Sequence, residues 1–176
     1  MFINIPLYAN CDLEKYKAGL GVIEDEINSD AAIRYFKGKL NKENIFVSTY
    51  LMQFHTSNFL LSKDSSSTKH EISKKLSIYD SLYFKELNNK EFKLVKNYFY
   101  CPELNLLSSK ENFEILIFLS EVKEGMFFAE IRFYNKNYGT NPADYGFANS
   151  GNFLKVLFFT DEQNKIQFYQ FNYLAG

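Results

Sequence analysis

Residues 113–135, FEILIFLSEVKEGMFFAEIRFYN, decide the fold class because they contain two apolar runs joined by a short polar connection. The runs cover residues 113–122 and 126–135, and the connection 123–125 ends in glycine. This arrangement is typical of a β-hairpin. Because side chains alternate along a strand, the second run should present two different faces. The alternation places Phe127, Ala129, Ile131 and Phe133 on one face and Glu130 and Arg132 on the other.

A second hairpin is predicted nearer the C-terminus, where residues 153–160 and 165–173 flank a short polar turn. Upstream, residues 92–100 read as a strand that Pro102 terminates. Residues 44–62 fit a helix or a strand, and we interpret them as a strand because they are rich in β-branched and aromatic residues. The second half of the chain is therefore predicted to be an antiparallel meander.

Helical periodicity marks the first half of the chain. One helix should follow Asp12, a candidate N-cap, and Ser29 or Asp30 can cap a second. Thr68 and Glu71 have the spacing of a capping box and predict a third helix. The apolar residues that repeat at helical spacing are Leu13, Tyr16, Leu20, Ile23 and Ile27, then Ala32, Ile33, Phe36 and Leu40, then Ile72, Leu76, Tyr79 and Tyr83.

Helices first and strands last predict an α+β fold in which N-terminal helices pack on a curved antiparallel sheet. By analogy of element order alone, such a domain is cone-shaped, similar to NTF2-like or cystatin-like domains. With 176 residues and no linker-like composition, residues 10–176 are predicted to form a single α+β domain.

The first nine residues admit two interpretations. Residues 1–7 are a short apolar run broken by Pro6, and the small residue Ala9 lies where a signal peptidase would cleave. Residues 1–9 are then the remnant of an export signal, and the protein is periplasmic or secreted. The alternative is a first β-strand, residues 2–7, in a protein of the cytoplasm. We favour the export signal.

Cys11 and Cys101 are the two cysteines of the chain, and their separation is not that of a metal-binding motif. In an oxidising compartment they are expected to form a disulfide, whereas in the cytoplasm they would stay reduced. Two buried, unreactive thiols are the other interpretation. Given the N-terminus, we expect the disulfide.

Composition excludes several classes of function. The formal net charge is −1 and no basic block is present, which argues against nucleic-acid binding. No apolar run reaches the roughly 18 residues of a membrane span. No cofactor or metal site is expected, because neither a phosphate-binding glycine pattern nor paired metal-ligand spacing occurs.

Candidate catalytic groups are few. The two histidines, His55 and His70, stand alone, and residues 65–67, three serines near His70, have the composition of a flexible loop. A nucleophile requires a rigid setting and an oriented base, so no catalytic residue is assigned. Asp144 is the strongest candidate for a buried acid, although nothing in the sequence indicates a raised pKa.

The segment between the two hairpins, residues 135–152, is the best candidate for a binding site. It is longer than most connections within compact domains, and such loops are usually functional or disordered. Tyr138, Asp144, Tyr145 and Phe147 combine rigid aromatic rings with an adaptable Asn- and Gly-rich backbone, as in antibody paratopes. An ordinary hairpin loop whose rings fold back over the sheet is the alternative.

Two functional classes follow. The first is an exported, non-enzymatic protein-binding domain, in the form of an inhibitor or an immunity protein that neutralises a toxin. The second is a small-molecule pocket protein or hydrolase-like enzyme of NTF2-like shape, with the ligand held between helices and sheet. A cavity converging on His55 or Asp144 would favour the second class, and an interior filled by Phe and Tyr would favour the first. We favour the first.

Overall fold

The computed structural model describes residues 7–8, 11–38, 41, 43–54, 77–82, 85, 98–108, 113–134, 140 and 153–174. Within this part the helices are α1 (Leu13–Glu26) and α2 (Asp30–Phe36), followed by a helical segment at residues 77–82 and a 3₁₀ helix (Pro102–Leu107). The strands are β1 (Leu7–Tyr8), β2 (Ile45–Val47), β3 (Tyr50–Met52), β4 (Tyr98–Tyr100), β5 (Ile115–Leu119), β6 (Met126–Phe133), β7 (Phe153–Thr160) and β8 (Ile166–Leu174). The α+β class with N-terminal helices is confirmed.

The predicted helix pattern holds in α1 and α2. Tyr16, Leu20 and Ile23 of α1 are buried and Leu13 is partly buried, and Asp12 occupies the N-cap position without a side-chain cap hydrogen bond. Ser29 caps α2, since its Oγ accepts a hydrogen bond from the Ala32 N–H at 3.2 Å. The second helix is shorter than its pattern predicts, because Lys37 adopts a left-handed conformation with φ 57° and ends it.

Five strands form the main sheet in the order β2-β5-β6-β7-β8, and three form a smaller sheet in the order β1-β4-β3. Strands β5 to β8 pair antiparallel, as the two predicted hairpins require. The edge strand β2 pairs with β5 in parallel, and β1 pairs with β4 in parallel. The main sheet is therefore mixed, because strand direction at that edge depends on long-range connections and not on local pattern.

Other predicted elements lie partly outside the described residues. The ambiguous stretch 44–62 contains β2 and β3, and residues 77–82 of the predicted third helix are helical. Leu40, Tyr83 and residues 92–97 lie outside the described part. Leu7–Tyr8 form β1, and the assignment of residues 1–9 to an export signal or a strand stays a prediction.

One face of the main sheet packs against the two helices. Phe127, Ala129 and Ile131 on β6 belong to the same buried cluster as Tyr16 and Ile23 of α1. The ring of Tyr16 meets that of Phe127 edge-on at 5.3 Å, and the Tyr16 hydroxyl donates a hydrogen bond to the Ser120 carbonyl at 3.0 Å. Burial raises the pKa of this hydroxyl, so the group stays protonated and continues to donate.

The opposite face of the sheet is also apolar and also covered. Met126, Phe128 and Phe159 are almost fully buried there, in one cluster with Phe54 and with Tyr79 of the helical segment 77–82. The five side chains of β5 are buried on both faces. The central strands thus form the middle layer of a sandwich and do not have one solvated side.

The predicted disulfide between Cys11 and Cys101 is present in the structure. It joins the residue before the N-cap of α1 to the N-cap of the 3₁₀ helix, across a sequence separation of 90. Closing a loop of this length stabilises a fold by about 4–5 kcal/mol on the chain-entropy account.

Among the described helices, none combines the length and the apolar character needed to cross a membrane.

The packing of α1 on the sheet gives a matched pair of tests. A Cβ at Gly19 would lie 2.7 Å from the Phe127 ring, whereas a Cβ at Gly21 would meet nothing within 4 Å. Gly19→Ala should therefore lower the free energy of unfolding by about 1–2 kcal/mol, because overpacking outweighs the gain in helix propensity. Gly21→Ala should raise it by roughly 0.5–1 kcal/mol. Urea denaturation of both variants measures the difference, and equal stabilisation by both would contradict the packing described.

Candidate functional site

The strand ends that carry the predicted binding loop are the best-defined part of the candidate site. Residues 135–152 leave the end of β6 and return at the start of β7, which are neighbours in the sheet, with Arg132 paired to Phe153. Tyr138, Asp144, Tyr145 and Phe147 lie outside the described residues. The described part of the candidate site consists of the ends of β6 and β7 together with Thr140.

Thr140 shows where one point of the loop is attached. Its carbonyl accepts a hydrogen bond of 2.9 Å from the Ser48 hydroxyl, and Ser48 is fully buried between β2 and β3. The Ser48 Oγ also accepts a hydrogen bond from the Tyr50 N–H at 3.2 Å. One backbone position of the loop is thus held against the far edge strand of the main sheet.

A cluster of charged side chains lies beside the strand ends. Glu130 is paired with Lys155 across β6 and β7, so both side chains project on the same face, together with Arg132 two residues further along. Arg132 Nε donates a hydrogen bond to Glu130 Oε1, and Lys155 Nζ lies 3.7 Å from Glu130 Oε2. We call Glu130, Arg132 and Lys155 the charged triad.

Phe153 provides an aromatic wall for the two cations of the triad. The Arg132 guanidinium carbon lies 4.5 Å from the centre of the Phe153 ring, and Lys155 Nζ lies 5.6 Å from it. Both distances are within the range of cation–π attraction. Phe153, the first residue of β7, is therefore held by one cation from its own strand and one from β6. It lies at the strand end to which the loop returns.

Low solvent exposure strengthens the electrostatics of the triad. The three side chains keep only 11–14% of their accessible surface. Burial lowers the pKa of Lys155, the Glu130 carboxylate opposes this, and the Arg132 charge adds to it. A perturbed lysine of this kind occurs in functional sites and in structural ion-pair networks alike. In either setting the triad places poorly solvated charges on one face of the sheet, at the ends of β6 and β7.

Aromatic side chains complete the surroundings of the loop. Phe133, the last residue of β6, is 44% exposed although it shares a face with the buried residues Phe127 and Ile131. Its ring meets that of Phe36 edge-on at 5.2 Å. On the other face, Tyr134 and Phe46 both contact Phe113, with ring centres 4.2 and 4.6 Å apart. An exposed ring and a packed aromatic trio thus lie at the end of β6 from which the loop leaves.

The charged triad was missed in the sequence because its members come from two strands. Glu130 and Arg132 were assigned to one face, but their pairing with Lys155 requires the register between β6 and β7. The available signal was local: each charge interrupts an otherwise apolar strand, in MFFAEIRF and FLKVLFFT. A charge inside such a strand predicts a buried partner on the neighbouring one.

His55, His70 and residues 65–67 lie outside the described part of the chain. Among the described residues, one group has metal-ligand chemistry, with the Sγ atoms of Cys11 and Cys101 and a carboxylate oxygen of Glu103 within 4.8 Å of one another. Because the two sulfurs are bonded to each other, they offer no thiolate to a metal ion in this form.

Comparison of the chain with protein-family models, with curated proteins and with solved structures gives no match. The likeness to NTF2-like and cystatin-like domains therefore stays an analogy of element order.

The charged triad predicts a specific response to loss of its carboxylate. Glu130→Gln keeps the side-chain volume but removes the negative charge beside two poorly solvated cations, so the free energy of unfolding should fall by about 2–4 kcal/mol. Glu24→Gln, at an exposed position of α1, should change it by less than about 0.5 kcal/mol. Chemical denaturation compares the two.

The same substitution should lower the pKa of Lys155 further, because Glu130 is the influence that raises it. A side-chain NMR titration of Lys155 measures this shift. An unchanged pKa in Glu130→Gln would show that the carboxylate does not act on the lysine.

Proposed function

We propose that this protein is an exported, non-enzymatic protein-binding domain, acting as an inhibitor or as an immunity protein that neutralises a toxin. The binding surface is residues 135–152 together with the strand ends of β6 and β7 that carry them. The observation that carries the proposal is that side chains fill the space between α1 and the main sheet. A partner would therefore be recognised at the outer surface.

The interior between α1 and the sheet is filled by rings. Gly19 lets the Phe127 ring approach the helix backbone closely, and Phe127 in turn stacks on Phe158 with ring centres 4.8 Å apart. Tyr16, Phe127 and Phe158 are all fully buried. A ligand held between this helix and these strands would have to displace them, which argues against a pocket protein of NTF2-like shape.

The strand ends suit a recognition surface because they are rigid. Ion pairing within the charged triad and the contact of Arg132 with Phe153 hold the ends of β6 and β7 together, and the Ser48 contact holds Thr140. Attachment points that are ordered before a partner arrives reduce the entropy lost on association. Exposed Phe133 adds an apolar contact at the end of β6 from which the loop leaves.

Export is supported by the disulfide. Disulfides persist in oxidising compartments and are rare in reducing ones. The Cys11–Cys101 bond ties the segment before α1 to the middle of the chain. In the periplasm or outside the cell, no dedicated reductant would cleave this bond. The bond would therefore continue to stabilise the domain.

The test is affinity capture from an extract of the oxidising compartment, with the disulfide-bonded protein as bait and mass spectrometry as readout. The triple variant Tyr138→Ala, Tyr145→Ala, Phe147→Ala should lose the partner that the unmodified protein retains, because aromatic anchors contribute most of the binding energy in such surfaces. The double variant Tyr138→Phe, Tyr145→Phe keeps the rings and should retain most of the binding.

Leu106→Ala provides a surface control, since Leu106 is 77% exposed on the 3₁₀ helix and lies outside β6 and β7. Thermal unfolding verifies that every variant is folded. Capture of the same partner by the triple variant, at unchanged yield, would contradict the proposal.

A further inference from the structure

The outer edge of β8 presents backbone groups that no strand pairs within the described residues. The Thr160 N–H donates a hydrogen bond to the Gly125 carbonyl. Every second residue of β7, counted back from Thr160, therefore directs its backbone N–H and C=O groups towards β6. The residues between them direct their backbone groups towards β8. In this register Phe159 pairs with Phe168 and Leu157 pairs with Gln170. It follows that the N–H and C=O groups of the intervening residues Tyr169 and Phe171 face away from β7.

Within the described part of the chain, those outward groups have no hydrogen-bond partner, because no backbone hydrogen bond beyond the strand ladders involves Tyr169 or Phe171. The Tyr169 ring lies 6.5 Å from that of Phe158, measured between ring centres. Its side chain is still 45% exposed, one of three large apolar side chains so placed among the described residues. An edge with free backbone groups and an exposed ring is a template for another strand.

The sequence of β8 carries none of the usual protection against strand pairing. Ile166–Leu174, IQFYQFNYL, contains no charged residue, no proline and no glycine over its nine residues. Asp161, Glu162 and Lys165 all lie in the preceding turn. The one irregularity in its pairing with β7 is at Phe159 and Thr160, next to the start of β8. Edge strands of monomeric proteins are normally protected by charges, proline or bulges.

We propose that β8 pairs with β8 of a second copy of this chain, antiparallel about a two-fold axis, so that two main sheets become one continuous sheet. Pairing must use the outward groups of Tyr169 and Phe171. The two-fold register that joins Tyr169 of one copy to Phe171 of the other has its centre at Gln170, which is also the centre of Ile166–Leu174. All nine residues of β8 can therefore take part in the pairing.

The side chains are complementary to themselves in this register. Tyr169 lies opposite Phe171 of the second copy on one face, and within one chain these rings already meet edge-on at 5.6 Å. Aromatic cross-strand pairs stabilise antiparallel sheets. No pair brings charges together, because the strand has none. A second copy is favoured over a foreign strand because this symmetry requires nothing beyond the β8 sequence.

Sedimentation equilibrium of the purified protein tests the proposal, with no other partner present. The unmodified chain should form a dimer that dissociates on dilution. Gln170→Lys and Gln170→Glu each place like charges opposite each other at the two-fold axis and should weaken the dimer at least about tenfold. An equimolar mixture of the two variants places opposite charges there and should restore dimerisation as a heterodimer.

A second pair of variants isolates the backbone contribution. Tyr169→Pro removes one outward N–H without removing any bond to β7, whereas Tyr169→Thr keeps that N–H and loses the same ring. Only the proline variant should lose the remaining association, and circular dichroism confirms that both are folded.

Three outcomes would overturn the proposal: a monomer at all concentrations up to about 0.5 mM, a dimer of unchanged strength in Gln170→Lys, or open-ended assembly in place of a closed dimer. Because the assay contains only this protein, it is independent of whether loop 135–152 binds a partner.

Discussion

The constraint on which the rest of the structure depends is that the central strands are apolar on both faces. Strands β5, β6 and β7 bury side chains on each side of the sheet, so each side requires a cover. Helix α1 covers one side, and Phe54 with the helical segment 77–82 covers the other. Because both faces are buried, the sheet is the central layer of the described structure. Its exposed side chains lie at strand ends and on edge strands.

This arrangement explains where charge and exposure occur. The charged triad lies on β6 and β7 near the loop, where paired charges and a facing ring replace apolar cover. Phe133 is exposed because it ends its strand, and Tyr169 because it lies on the edge strand β8. The two surfaces proposed for recognition, loop 135–152 and the β8 edge, are thus on different parts of the same sheet.

Local patterns were enough to predict α1, α2 and the two hairpins. Apolar spacing identified α1, Ser29 identified the start of α2, and the polar turns identified the connections of β5 to β6 and of β7 to β8. Long-range contacts were not predictable in the same way. The parallel direction of β2, the contact of Tyr79 with Phe159 and the meeting of Glu130 with Lys155 all join residues whose spacing in the chain carries no periodic signal.

Native-state hydrogen exchange as a function of denaturant tests the two-sided sheet most directly. If both faces are packed, the amides of β5, β6 and β7 exchange only through global unfolding, and their exchange free energy equals that measured by denaturation. The account would be contradicted if amides of β6 exchanged through local opening while those of α1 remained protected, because the sheet would then not be the layer that holds the helices.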